Sequence, residues 1–219
     1  MTHECTEARF LNDIAEHEMI VLRDDGVYRH ISFKKPGTSC MHFDLITWPG
    51  YLCYTGDMGT YVFSRLLDMF EFFRTDREYM LKEEGKTLKI NLGYWSEKAE
   101  ATDKNDGLTE FDEDKFRRVI NDYRVGWMRD LKERGTSKED RRELWESVEN
   151  EVMGAASDGE HRASAAAYEF SEKVDGYTFM FEDLFEQSFD TYTHRFRWCC
   201  YALAWGIQQY DNAKLSEST

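Results

Sequence analysis

Turn signals punctuate residues 19–63 so closely that no helix fits between them. Asp24-Asp25-Gly26, Pro36-Gly37, Trp48-Pro49-Gly50 and Gly56-Asp57-Met58-Gly59 separate short runs rich in β-branched and aromatic residues. The runs 19–22, 27–33, 40–47, 51–54 and 60–63 are predicted strands. Strands joined by tight turns pair antiparallel, because a parallel pair needs a crossover of about a dozen residues or more. A doubly wound sheet is therefore excluded, and an antiparallel meander is expected. In the second run Val27, Ile31 and Phe33 share one parity, and Arg29 interrupts it. That break predicts an edge strand or a bulge.

Around this sheet the period changes to that of helices. Residues 3–17 read as a short helix and 66–74 as a very apolar one. Residues 87–95 read as one more strand, and 96–107 as a polar linker. Beyond it Phe116, Ile120, Tyr123, Trp127 and Leu131 recur at helical spacing, with Thr109 as the expected N-cap. Ser137 opens a second helix with the stripe Leu144, Val148 and Val152, and 160–173 reads as a third. Asp175-Gly176 turns the chain into a strand over 177–181. The last element, 186–210, carries Phe189, Tyr192, Phe196, Cys199, Leu203, Ile207 and Tyr210 on one side. Trp198, Cys200, Tyr201 and Trp205 occupy the other, so this helix is apolar most of the way round and belongs in the interior. The expected architecture is α+β: a core in 1–96, an acidic helical region in 97–175, and a strand and helix in 176–219 that pack back on the core.

The 219 residues include 43 acidic and 28 basic side chains, a formal charge of −15. Duplex binding through a basic surface is not expected, because phosphate contacts need clustered Lys and Arg. The excess concentrates in 97–175, which hold 22 acids and 14 bases. Asp112, Glu113 and Asp114 fill the first turn of one helix, and Glu139, Asp140, Glu143 and Glu146 lie along the next. Carboxylates in such a row attract a Lys- and Arg-lined surface by long-range steering. These seven residues are the candidate partner-binding set. The competing reading is a solvated face neutralised at i, i+4 spacing by Lys132, Arg134, Arg141 and Arg142.

No catalytic signature stands out, and neither a cofactor nor a metal is expected. The five cysteines are odd in number and two are adjacent, which argues against a disulfide framework. No apolar run is long enough to span a membrane, and no secretory leader is visible. There is no C-x-x-C and no helical H-x-x-x-H for zinc. The Asp57 turn is either a tight hairpin closed by an Asx turn or a phosphate cradle without a P-loop lysine. His42 and Asp44 on one strand, with Cys53 on the next, are the residues a small enzyme would use.

Three segments are similar to one family. They are Phe43-Asp44-Leu45-Ile46-Thr47-Trp48-Pro49-Gly50, then Gly56-Asp57-Met58-Gly59-Thr60-Tyr61-Val62-Phe63-Ser64-Arg65, then Asp68-Met69-Phe70-Glu71-Phe72-Phe73. With the run 196–210 they resemble a family of uncharacterised tailed-phage and prophage proteins. The resemblance spans the two ends of the chain and leaves the acidic middle unassigned. It implies a phage origin and the bacterial cytoplasm, and it carries over no catalytic residue. Charge and resemblance together lead to the expectation of a non-catalytic phage accessory protein. It would bind and inhibit a bacterial nucleic-acid-handling defence complex, of anti-CRISPR or anti-restriction type. The alternatives are a small enzyme acting on nucleotides or nucleic acid, and an interaction module of phage assembly or host takeover.

Overall fold

A computed structural model of the chain describes residues 5–79, 87–105 and 107–217. The fold is α+β, and the chain forms two compact units. The first comprises Met1–Thr109 and Tyr192–Thr219, and the second Glu110–Thr191. The insertion expected from composition exists, but its ends lie at 110 and 191 rather than at 97 and 175. Residues 97–109 belong with the sheet, and 176–191 belong with the helices of the second unit.

The first unit is built on a six-stranded antiparallel sheet in chain order. Its strands are β1 (Glu18–Asp25), β2 (Tyr28–Lys34), β3 (Phe43–Trp48), β4 (Tyr51–Gly56), β5 (Gly59–Ser64) and β6 (Ala99–Ala101). Alternation sends Ile31, Phe33, Phe43, Leu45, Leu52, Tyr54, Tyr61 and Phe63 to one face, where all are fully buried. Register reinforces this, with Ile31, Leu45, Tyr54 and Tyr61 in one row across four strands. The helix α7 (His194–Glu217) lies against that face. Phe196, Trp198, Cys199, Cys200, Leu203 and Ile207 are buried there. Gly206 allows the close approach: a Cβ at that position would sit 3.0 Å from Leu45 and 3.1 Å from Phe33. The helices α1 (Glu7–Asp13) and α2 (Met69–Tyr79) complete this core through Phe10, Phe70 and Phe73.

Several local expectations are corrected. Residues 87–91 form no strand: the Glu7 carboxylate takes the Thr87 and Leu88 N–H groups at 2.7 and 3.0 Å, leaving them nothing to give a neighbouring strand. Asn91 then caps a short helix, α3 (Leu92–Ser96), by accepting from the Tyr94 N–H. The supposed linker supplies β6, where Ala99 pairs with Phe63; three residues are too few for a period to register. The helix α2 begins at Met69, because Asp68 accepts from the Phe70 N–H and leaves Leu66 and Leu67 outside and exposed. The bulge lies between Val21 and Arg23 of β1, while β2 is an interior strand. The last helix starts at His194, where Thr193 accepts from the Phe196 N–H. Phe189 and Tyr192 precede it.

The second unit has its own core. It contains α4 (Glu113–Glu133), α5 (Lys138–Val148), α6 (Glu160–Glu169) and a hairpin of β8 (Glu172–Val174) and β9 (Tyr177–Phe179). Phe116, Ile120, Leu131, Leu144, Val148, Val152, Ala163 and Phe170 are buried together with Phe179, Phe181 and Phe189. Those last three aromatics explain why 176–191 stay with the helices. Two further short strands, β7 (Thr109–Phe111) and β10 (Asp190–Tyr192), pair with each other where the chain enters and leaves this unit.

Candidate functional site

In the second unit, α4 is capped by Asp112 rather than Thr109; its carboxylate accepts from the Lys115 N–H at 2.8 Å. Glu113 and Asp114 follow in the first turn, where the helix dipole favours them. Gly135, at φ 85°, ends the turn after α4, and Ser137 caps α5 by accepting from the Asp140 N–H at 3.0 Å. The helices run antiparallel. Arg124, midway along α4, bonds Glu149 just beyond α5 at 2.6 Å and lies 3.6 Å above the Trp145 ring. The start of α5 therefore lies beside the end of α4. At 1.5 Å per residue, Asp112–Asp114 stand about 30 Å from Glu139. The seven candidate carboxylates do not form one continuous face.

Their individual states differ as well. Glu113 pairs with Arg117 and Glu146 with Arg142, each at 2.7 Å. Asp112 is committed to its cap, and Asp140 accepts from the Ser137 hydroxyl at 2.8 Å. Asp114, Glu139 and Glu143 are exposed and make no hydrogen bond or ion pair among the described residues. Surface pairs of this kind contribute about 1 kcal/mol or less, and they leave the surplus charge in place. Residues 110–191 hold 22 acids and 12 bases, so this unit carries most of the excess of the chain.

Part of that surplus lines a cleft between α5 and β8. Its volume is about 340 Å³, and Asp140, Glu143, Glu172 and Asp175 surround it with Lys173 as the one cation. The Ser147 hydroxyl lies 3.1 Å from a Glu172 oxygen and 2.9 Å from a Glu151 oxygen and shares its one proton between them, which holds the Glu172 carboxylate at the wall. Asp175, at φ 52°, sits in the tight hairpin turn before Gly176. Four carboxylates against one ammonium suit a guanidinium or ammonium group from a partner. Glu172 and Asp175 were absent from the sequence-predicted set. The Asp175-Gly176 turn is legible, but 172 and 173 read as the end of a helix, which hides their position beside α5.

On the sheet, the Cys-His-Asp grouping that a small enzyme would use does not assemble. Asp44 pairs with His30 at 2.8 Å, and His42 pairs with Asp57 at 3.0 Å. The Cys53 thiol is directed to the Tyr54 carbonyl at 3.7 Å, and burial pushes its pKa up, so it stays a thiol. Cys199 and Cys200 are fully buried, and burial raises both thiols further. The Asp57 turn is no phosphate cradle. Asp57 accepts from the Met41 N–H at 2.6 Å, and a Cβ on Gly56 would stand 2.2 Å from the His42 carbonyl oxygen. That glycine serves the contact of one loop with another.

Among the described residues no cluster of His, Cys, Asp or Glu is arranged to hold a metal ion. No helix among them is long and apolar enough to cross a membrane. No family model, curated protein or solved structure matches the chain.

Proposed function

We propose that the protein is a non-catalytic binder whose inserted helical unit engages a cationic surface, as a phage accessory protein acting in the bacterial cytoplasm. The partner class is a nucleic-acid-handling defence complex, of anti-CRISPR or anti-restriction type. Its Lys- and Arg-lined channel is the natural complement of the acidic cleft. The observation that carries this reading is the convergence of Asp140, Glu143, Glu172 and Asp175 on one cleft within a unit of 22 acids and 12 bases. Asp114 and Glu139 add to the field without lining the cleft, and Asp112, Glu113 and Glu146 act mainly in caps and local pairs. A field of this kind raises the association rate, and salt weakens it on a length of about 8 Å at physiological ionic strength.

Reversing Glu139, Glu143 and Asp175 to Lys is expected to weaken capture of the partner from host lysate by about tenfold or more, equivalent to about 1.4 kcal/mol. All three side chains are exposed, so the fold is expected to persist. Capture that survives the reversal and does not change with salt would refute the mechanism.

A second reading, an interaction module of assembly or host takeover, is favoured by a different feature. Trp48 and Tyr51 stack at 5.4 Å while exposed, and the carbonyl of Leu67, a residue 71% exposed, accepts from the Gly50 N–H of the same hairpin. Exposed apolar groups gathered this way are typical of contact surfaces. Under that reading Trp48→Ser abolishes capture and the charge reversal does not.

A further inference from the structure

The sheet carries a second polar pocket, on the face turned away from α7. It encloses about 480 Å³. Ser32 of β2 and Asp44 of β3, direct partners across the strands, form its floor. Lys34, Thr38, Ser39 and His42 form its rim.

Three independent features mark it as a built site. Ser32 is only 9% exposed, and its hydroxyl makes no hydrogen bond among the described residues. That hydroxyl is therefore free to bond a ligand in the pocket. His42 is held in orientation: Nδ1 lies 2.7 Å from the Ser39 carbonyl and 3.0 Å from Asp57 Oδ1, while Nε2 makes no hydrogen bond among the described residues. The rim loop is fixed in an unfavourable form. Met41 has φ 57°, with its N–H held by Asp57 at 2.6 Å and its carbonyl held by His17 at 2.9 Å. Non-glycine residues adopt that conformation where the surroundings enforce it.

The charges divide the pocket in two. The Lys34 ammonium has no carboxylate partner among the described residues. The Asp44 carboxylate gives Oδ2 to His30 at 2.8 Å, and its other oxygen makes no hydrogen bond among them. One end thus offers a cation and hydroxyl donors, and the other offers an acceptor.

We propose that this pocket binds a small phosphorylated ligand that carries a hydroxyl group close to its phosphate, as a pentose phosphate does. Lys34 and the hydroxyls of Ser32 and Ser39 donate to the phosphate, and His42 stands beside it. The free oxygen of Asp44 accepts from the ligand hydroxyl. The same carboxylate disfavours anions that offer no donor in return.

The test is calorimetric titration of the full chain with ribose 5-phosphate, methyl phosphate and ribose. Ribose 5-phosphate is expected to bind about tenfold tighter than methyl phosphate, and ribose is expected to give no heat. Lys34→Gln, at an exposed position, is expected to weaken ribose 5-phosphate about tenfold with an unchanged circular dichroism spectrum. Asp44→Asn is expected to remove the preference over methyl phosphate. No heat from ribose 5-phosphate, equal affinity for both phosphates, or an unaffected Lys34→Gln variant would each overturn the proposal. The two phosphate probes settle the hydroxyl requirement even if Asp44→Asn disturbs the sheet.

Discussion

Replacing Asp68 by Ala is expected to destabilise the first unit by about 3–5 kcal/mol, measured by urea unfolding. The Arg29 side chain is 9% exposed and enters a two-pronged pair with Asp68 at 2.8 and 2.9 Å. The Phe70 ring lies 4.7 Å from the guanidinium carbon. Removing the carboxylate leaves a buried cation whose remaining counter-charge is Asp24, 4.0 Å from its Nε, because Arg does not deprotonate. The same cluster sets an acid limit. Burial opposes ionisation of Asp68, but hydrogen bonds from Arg29 and the Phe70 N–H outweigh it and hold the carboxyl below its ordinary value of 3.8. Burial likewise opposes Asp24, and hydrogen bonds from Lys214 and Tyr210 lower it overall. Both groups bind protons more weakly in the folded chain than in the unfolded one. Their contribution is therefore complete above roughly pH 5 and is lost as pH falls through the lowered values. The stability gap between the native chain and Asp68→Ala is expected to be constant near neutrality and to close below 3.8. A gap that widens in acid would contradict this account of the cluster.

Replacing Trp198 by Ala is expected to cost about 3–5 kcal/mol, from lost burial and the cavity left behind. Trp198 is fully buried, with its ring 5.0 Å from Phe10 and 5.6 Å from Phe43. Its indole N–H donates to Asp13 at 3.1 Å. It thereby joins α1, α7 and the sheet at one point. Trp198→Phe keeps most of the packing and loses the hydrogen bond, and a loss of about 1–2 kcal/mol is expected. Thermal unfolding followed by near-ultraviolet circular dichroism separates the two variants. Equal losses would show that the bond, and not the ring, holds the three elements.

The sequence-level reading succeeds where period and turn chemistry agree. The hairpins at Gly26, Gly50 and Gly59 and the stripe of α4 are visible because the glycines and apolar spacings point to the same elements. It fails where a distant side chain overrides local preference. Glu7 takes the N–H groups of Thr87 and Leu88 from across the chain, so an apparent strand stays irregular. Arg29 looks like an interruption of a strand because its partner, Asp68, is 39 residues away. The acidic helices are legible as composition, but their geometry is not. Only the antiparallel return of α5 shows that Asp112–Asp114 and Glu139 occupy opposite ends of α4. The contribution of Glu172 and Asp175 depends on a short hairpin packed beside α5, which no periodicity encodes.

Competition measures the central claim most directly. The captured host complex is loaded with a labelled DNA fragment and titrated with the native chain and with the Glu139, Glu143 and Asp175 reversal. Native chain is expected to displace the DNA, less effectively as salt is raised, while the reversed chain leaves it bound. DNA that stays in place at every concentration of native chain, or that both chains displace equally, would contradict a carboxylate-lined cleft that occupies the site of nucleic-acid phosphates.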